Sequence, residues 1–126
     1  MHELAITEAI IESIQTVLEN QKVRSVKQVT LEIGPFSQVF FDQVQFWWNI
    51  LIENTILEGG MLIPKDLPGK LKCLECDQIS VIWEKDIKDK EIALSLFQCP
   101  LCSSLKTQII EGMDVKIGEI EIETVE

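Results

Sequence analysis

The chain of 126 residues has the length of one ordinary domain, or of one domain with a small insert, and its 46% hydrophobic content is enough for a core. With 11 Lys and Arg against 21 Asp and Glu, the net charge of −10 disfavours binding to nucleic acid and to anionic membranes. The start Met1-His2-Glu3 lacks the basic and apolar segments of a signal peptide, and no apolar run reaches the length of a membrane span. We therefore expect a cytoplasmic protein.

The first third of the chain predicts a helix followed by a strand. Apolar residues at three- and four-residue spacing indicate an amphipathic helix over residues 4–18. Alternation of apolar and polar residues then indicates a half-buried strand over residues 26–33, and Gly34-Pro35 ends it.

The middle of the chain predicts a second helix and a weak strand. Helical spacing of large apolar residues indicates a mostly buried helix over residues 36–57, which Gly59-Gly60 ends. Residues 61–67 form a weak strand with a proline inside it, as is typical of a sheet edge or a bend. The residues expected to face the core on the second helix are Phe40, Val44, Trp47 and Leu51. A partner surface formed by Trp47, Trp48 and the surrounding phenylalanines is the alternative.

The second half of the chain predicts a small insert and a returning strand. Residues 70–106 hold all the cysteines and two short apolar runs, at 79–83 and 93–97, but little core of their own. The tail over 113–125 alternates as a long strand, and its phase shifts at Gly118 as a bulge would shift it. We expect this strand to rejoin the first domain.

The four cysteines form two C-x2-C pairs, Cys73 with Cys76 and Cys99 with Cys102, separated by a spacer of 22 residues. Two residues between thiolates let each pair wrap around one face of a tetrahedral ion, and two such knuckles complete a structural Zn2+ site. Four thiolates leave no open coordination position, so such a site would fold the insert rather than catalyse a reaction. Two redox disulfides, four unrelated cysteines and a rubredoxin-like iron site with the same ligands are the alternatives.

One feature departs from the usual knuckle sequence. Glycine often follows the second cysteine of a knuckle, because the backbone there tends to positive φ. This chain has Asp77 and Ser103 at those two positions, and aspartate tolerates positive φ better than serine does.

The amino terminus offers a second metal site of different chemistry. His2 is the only histidine. The Met1 amine, the deprotonated His2 amide and the His2 imidazole can close adjacent chelate rings, and Glu3 is in reach for a fourth contact through its amide or its carboxylate. Nitrogen donors in a plane suit Ni(II) or Cu(II). The amine and the imidazole must lose protons to bind, so metal affinity should decrease as the pH is lowered. A solvated terminal side chain without a metal role is the alternative.

Taken together, these motifs resemble the HypA family of nickel metallochaperones for hydrogenase maturation, and the resemblance covers essentially the whole chain. The segments that carry it are Met1-His2-Glu3-Leu4 with the helix behind it, Leu31-Glu32-Ile33-Gly34, Glu58-Gly59-Gly60, Pro68-Gly69 and the two knuckles.

The resemblance implies an α+β fold: two helices packed on a three-stranded sheet form a nickel-binding domain, at 1–69 and 107–126, with a zinc-ribbon-like domain inserted at 70–106. It implies no catalysis. The transported ion would be Ni2+, bound at Met1, His2 and Glu3, and the structural ion Zn2+, held by the four cysteines. Implied partners are a HypB-type GTPase, the large subunit of [NiFe]-hydrogenase and, in some organisms, urease maturation proteins.

Some residues depart from the family pattern or fit a simpler interpretation. Pro35-Phe36-Ser37 stands where an acidic residue commonly follows the family's glycine, which leaves Asp42 as the nearest candidate for an additional nickel ligand. The alternation of Glu119, Glu121 and Glu123 indicates the solvent side of the last strand, with contact to a basic partner surface as the alternative. From the residues alone, a zinc-ribbon interaction module and a rubredoxin-like electron carrier stay open as alternative functions.

Overall fold

The computed structural model describes residues 2–86 and 97–125, which form two helices and two three-stranded sheets. This confirms the predicted α+β class. In chain order the elements are α1 (Glu3–Leu18), β1 (Val23–Ile33), α2 (Phe41–Leu51), β2 (Met61–Asp66), β3 (Gly69–Cys73), β4 (Ile79–Ile82), β5 (Thr107–Glu111) and β6 (Val115–Thr124).

The described residues fall into two compact units. The helical unit comprises those within 1–32, 39–65 and 116–126, and the cysteine unit those within 33–38 and 66–115. The cysteine unit thus extends beyond the insert of 70–106 at both ends. It also takes in a separate segment, 33–38, that follows β1 in sequence.

The first helix, α1, agrees with its prediction to within one residue at its start. Its buried positions recur at three- and four-residue spacing, as an amphipathic helix requires. The hydroxyl of Thr7, a fully buried polar side chain, donates to the Glu3 carbonyl at 2.6 Å, which satisfies it inside the core. The buried residues of α1 are Glu3, Thr7, Ile10, Ile11, Ile14 and Leu18.

The sheet of the helical unit has the order β2-β1-β6. Its central strand β1 starts three residues before the predicted strand, and its buried side chains include Val29 and Leu31, neither of which is exposed to solvent. In β6 the half-buried positions shift phase around Gly118, as the sequence predicts. The strand predicted over 61–67 corresponds to β2.

The second helix, α2, is shorter than predicted and is rotated relative to the predicted core face. Trp48 and Val44 are fully buried, whereas Trp47 is half-buried and Phe40, expected in the core, is 61% exposed. The indole N–H of Trp48 donates to the Gly60 carbonyl at 3.1 Å, so its polar atom is satisfied. The predicted core position of Val44 is therefore confirmed and that of Phe40 is wrong, while Trp48 fills the core in place of the half-buried Trp47, and Leu51 is half-buried.

The cysteine unit contains the sheet β4-β3-β5, in which β3 pairs antiparallel with both neighbours. Leu71 in the centre of β3 lies opposite Ser80 on one side and Ile109 on the other. The predicted apolar run 79–83 corresponds to β4, while the run 93–97 lies outside the described residues except for Phe97. Strands β3 and β5 were not predicted.

Three glycines, Gly34, Gly69 and Gly112, bring segments of the cysteine unit into close contact. The Gly34 amide donates to the backbone carbonyl of Asp114 at 2.9 Å, and the Phe36 amide donates to the carbonyl of Gly112 at 2.8 Å. Residues 34–36 therefore pair with 112–114 instead of starting a helix. Phe36 is 4% exposed, and its ring lies 5.5 Å from that of Phe97. This pairing explains why α2 begins five residues later than predicted.

We expect Gly112→Ala to destabilise the protein by about 3 kcal/mol, through strain of about 1 kcal/mol and overpacking of about 2 kcal/mol. Gly112 has φ +113°, and an added Cβ would lie 2.8 Å from the Gly69 Cα and 2.9 Å from the Phe36 ring. Gly59→Ala is the matched control, because Gly59 has φ +82° but open space around it. The control should cost about 1 kcal/mol. Urea unfolding measures both, and equal losses would contradict the crowding at Gly112.

Candidate metal centres

The two cysteine pairs fold into knuckles with the same backbone hydrogen bonds. In each, the amide of the first cysteine donates to the carbonyl five residues later, and the amide four residues later donates back to the carbonyl of that cysteine. These distances are 2.9 and 3.0 Å around Cys73, and both are 2.9 Å around Cys99. Two hairpins of one geometry therefore present the cysteines in the same way.

The knuckles face each other and bring the four sulfur atoms together. The Sγ of Cys73 lies 3.4 Å from that of Cys102, the Sγ of Cys76 lies 3.7 Å from that of Cys99, and all four lie within 4.8 Å of one another. A tetrahedral ion with Zn–S bonds of about 2.3 Å places its ligands about 3.8 Å apart. All four cysteines are free thiols. The cluster thus has the size and donor set of a metal site such as a zinc site.

The residues that follow each knuckle adopt the strained conformation that the sequence indicates. Asp77 has φ +62° and Ser103 has φ +64°, the left-handed region that glycine enters most easily. Both side chains are exposed, so the cost is one of backbone strain, of about 1 to 2 kcal/mol for each residue. The hydrogen bonds of the knuckles hold the chain in this conformation.

Backbone amides favour the thiolate form at one cysteine of each pair. The Cys76 amide donates to the Cys73 sulfur at 3.4 Å, and this hydrogen bond, against the effect of burial, lowers the Cys73 pKa to about 6. At Cys99, the amides of Cys102 and Leu101 lower the pKa in the same way. Each knuckle therefore supplies one sulfur that ionises readily.

The other cysteine of each pair has a raised pKa. The Gln78 amide acts to lower the pKa of Cys76, but burial and the adjacent thiols raise it by more. The Ser104 amide likewise acts to lower the pKa of Cys102, while the hydrogen bond with Cys73, burial and the other thiols raise it to about 12. Four sulfurs this close cannot all ionise without a cation among them, which is the electrostatic condition for a metal-thiolate site.

The amino-terminal candidates lie at the start of α1. His2 is exposed and is the N-cap residue, and its carbonyl accepts the first helical hydrogen bond, from Ile6 at 3.0 Å. Its imidazole is thus attached to the first turn of a regular helix. Met1 lies outside the described residues.

Glu3 has a structural role that the sequence analysis missed. Its side chain is only 2% exposed, and its Oε2 accepts a hydrogen bond of 3.2 Å from the Phe40 amide, just before α2. Burial acts to raise the Glu3 pKa, but this hydrogen bond and further favourable contacts lower it overall. Glu3 therefore joins the first turn of α1 to the start of α2. In the sequence, the four-residue spacing between Glu3 and Thr7 was the pattern that could have indicated that both lie on the buried face of α1.

The remaining acidic candidates are solvent-exposed. Asp42 lies in the first turn of α2, two residues after Phe40, and is exposed. Glu119, Glu121 and Glu123 are exposed along β6, as predicted. None of the described helices is long and apolar enough to cross a membrane.

A family model described as "Hydrogenase/urease nickel incorporation, metallochaperone, hypA" matches residues 1–122. The chain belongs to the HypA family. It is thus a member of a family of nickel metallochaperones for hydrogenase maturation, as its sequence motifs indicated.

Relatives in the family match along almost their whole length. The chain is 40% identical to the hydrogenase maturation factor HypA of Rippkaea orientalis, over 99% of this chain and 98% of that protein. It is 38% identical to that of Crocosphaera subtropica, over 98% and 96%, respectively. The solution structure of the Ni metallochaperone HypA from Helicobacter pylori aligns with a TM-score of 0.62 at 17% identity, covering 99% of this chain and 100% of that one. This last similarity supports the fold.

Proposed function

We propose that this protein binds Ni(II) at its amino terminus and delivers it to [NiFe]-hydrogenase, while its four cysteines hold a structural zinc ion. The observation that carries the proposal is the position of His2. This exposed imidazole, the only one in the chain, stands at the first turn of a helix that the Glu3–Phe40 hydrogen bond fixes. A donor on a fixed helix end is accessible both to the incoming ion and to an acceptor protein.

The proposed nickel ligands are the Met1 amine, the amide and imidazole of His2, and Glu3. Nitrogen-rich sets of this kind suit Ni(II). Since the Glu3 carboxylate already accepts a hydrogen bond from Phe40, we assign it a positioning role in addition to any contact with the ion. Asp42 is proposed as a further carboxylate near the site, because it follows Phe40 by two residues.

The proposed zinc ligands are Cys73, Cys76, Cys99 and Cys102. A four-thiolate site has no open position, so bound zinc would stabilise the cysteine unit and catalyse nothing. We therefore propose a carrier and not an enzyme. The proposed nickel domain is built on α1 and α2 (1–69 and 107–126 in the sequence prediction), and the proposed zinc domain on the knuckles (70–106).

The proposed partners are a HypB-type GTPase and the large subunit of [NiFe]-hydrogenase, with urease maturation proteins in organisms that have urease. The net charge of −10 supports protein partners over nucleic acid or an anionic membrane. Free thiols support a reducing compartment, and we propose the cytoplasm.

Metal analysis of untagged protein with a native amino terminus tests this function. We expect one tightly held zinc per chain, and one additional nickel after incubation with Ni(II) and gel filtration. Zinc without nickel would favour a zinc-ribbon interaction module. Iron with visible absorbance would favour a rubredoxin-like electron carrier.

A further inference from the structure

The outer side of α2 carries large apolar side chains that the core does not use. Phe46 is 58% exposed and Ile50, one helical turn later, is 48% exposed. The half-buried Trp47 ring packs edge-on against Phe46, with centroids 5.1 Å apart, and so fixes the exposed ring. We call Phe46, Trp47 and Ile50 the aromatic stripe. Rigid aromatic rings of this kind are enriched at the centres of protein interfaces.

Charge is segregated around the aromatic stripe. Neither helix contains a lysine or an arginine, and none occurs anywhere in residues 1–21 or 34–60. The exposed acidic residues of these segments are Glu8, Glu12, Glu19, Asp42, Glu53 and Glu58.

The basic residues of the helical unit lie on its strands or directly before one. Arg24 and Lys27 are in β1, Lys65 is in β2 and Lys116 is in β6, while Lys22 precedes β1. Two of them are paired with strand glutamates, Arg24 with Glu123 and Lys65 with Glu32. The helices thus carry an exposed apolar stripe, and the charged side chains exposed on them are all acidic.

We propose that the aromatic stripe docks a protein of the maturation machinery whose own face presents lysine and arginine around an apolar pocket. Opposite charge at the rim steers the encounter, and burial of Phe46 and Ile50 then slows dissociation. A second copy of this chain fits poorly, because two acidic helical surfaces would repel each other. Anionic membranes and nucleic acid are disfavoured by the same charge.

The test uses the zinc-loaded full chain and two purified probes, the HypB-type GTPase and the [NiFe]-hydrogenase large subunit. Binding of each is measured by calorimetry at low and high salt, for the wild type and for Phe46→Ser with Ile50→Ser. Met61→Ser is the matched control, because Met61 is 59% exposed and lies on β2. A second pair of variants tests the contribution of charge near the stripe. Glu53→Lys reverses a charge three residues after Ile50, and Glu121→Lys, on β6, is its control with the same change in net charge.

We expect the stripe variant to weaken binding to at least one probe by tenfold or more and Glu53→Lys to weaken it several-fold, with both controls near wild type. Higher salt should weaken wild-type binding. The stripe variant should keep the helicity and the nickel binding of the wild type. The choice of probes rests on the proposed function. Because nickel binding is measured separately, failure of the docking proposal is distinguishable from failure of that function. Undiminished binding of both probes, equal losses in the controls, or a stripe-dependent homodimer in sedimentation would overturn the proposal.

Discussion

Replacing Cys73 or Cys99 with serine is expected to abolish binding of the proposed structural zinc ion and to unfold the cysteine unit. Both side chains are buried, at 1% and 2% exposure, and each is the first cysteine of its knuckle. Structural zinc contributes an apparent binding free energy of about 10–16 kcal/mol in small metal-dependent folds. Among the described residues of the cysteine unit, few apolar side chains are fully buried, so we expect its folding to depend on that energy.

The helical unit should survive this change, because it has its own core around Trp48, Ile14 and Leu31. Elemental analysis measures the lost zinc, and NMR spectra should lose the dispersed signals of β3, β4 and β5 while those of α1 and α2 persist. Leu101→Ser is the matched control, since Leu101 lies within the second knuckle but is 68% exposed and offers no ligand. A serine variant that keeps both its zinc and its dispersed β-strand signals would contradict the prediction.

Acid should release the proposed zinc ion, as the cysteine-to-serine variants do. Protons compete with the ion for the thiolates, so the stability that the ion contributes is present at neutral pH and is lost as the pH falls. The sulfurs of Cys73 and Cys99, whose pKa values are lowered, would be the last to take up protons.

The second large effect is expected at the amino terminus, where His2→Ala should lower nickel affinity by at least about 100-fold. Mutating a residue that only supports a metal ligand typically lowers metal affinity by about 10- to 100-fold, and loss of a ligand itself should cost at least as much. The variant loses both the imidazole donor and the chelate ring that it closes. His2 is exposed and makes no side-chain cap to α1, so thermal stability should change little. Calorimetric titration with Ni(II) at neutral and mildly acidic pH measures the affinity. In the wild type the affinity should be lower at the mildly acidic pH.

Two controls separate ligation from positioning. Gln15→Ala, at an exposed position of α1, should leave nickel binding unchanged. Glu3→Gln keeps an oxygen that can accept the Phe40 hydrogen bond but removes the charge, whereas Glu3→Ala removes both. Retained affinity in Glu3→Gln with loss in Glu3→Ala would assign Glu3 to positioning, and loss in both would assign its charge to the ion. Full nickel affinity in His2→Ala would refute the proposed site.

The sequence alone determined the features that depend on local periodicity and on ligand spacing. The spacing of Ile10, Ile14 and Leu18 fixes one face of α1, since 3.6 residues per turn align them whatever the helix packs against. The two C-x2-C pairs likewise imply knuckles, because two intervening residues are what a tight turn around an ion requires. The backbone strain at Asp77 and Ser103 was foreseeable for the same reason.

The tertiary structure alone decided which residues of the second helix are buried and where that helix begins. The segment over 40–51 is apolar on more than one side, so its periodicity does not select Trp48 over Trp47, and packing made the choice. Phe36 was assigned to the helix by its local pattern, but residues 34–36 instead pair with 112–114, more than 70 residues later. Such pairings depend on close approach between distant backbones, as at Gly34 and Gly112, which local periodicity does not encode.

The candidate sites divide in the same way. The residue types and spacing of the cysteines and of His2 were sufficient to propose them as metal ligands, because chelation by near neighbours is a local property of the chain. The burial of Glu3 and its hydrogen bond to Phe40, 37 positions later, arise only when α1 and α2 pack together. The aromatic stripe likewise follows from tertiary packing, because only the burial of Trp48 leaves Phe46 and Ile50 facing solvent.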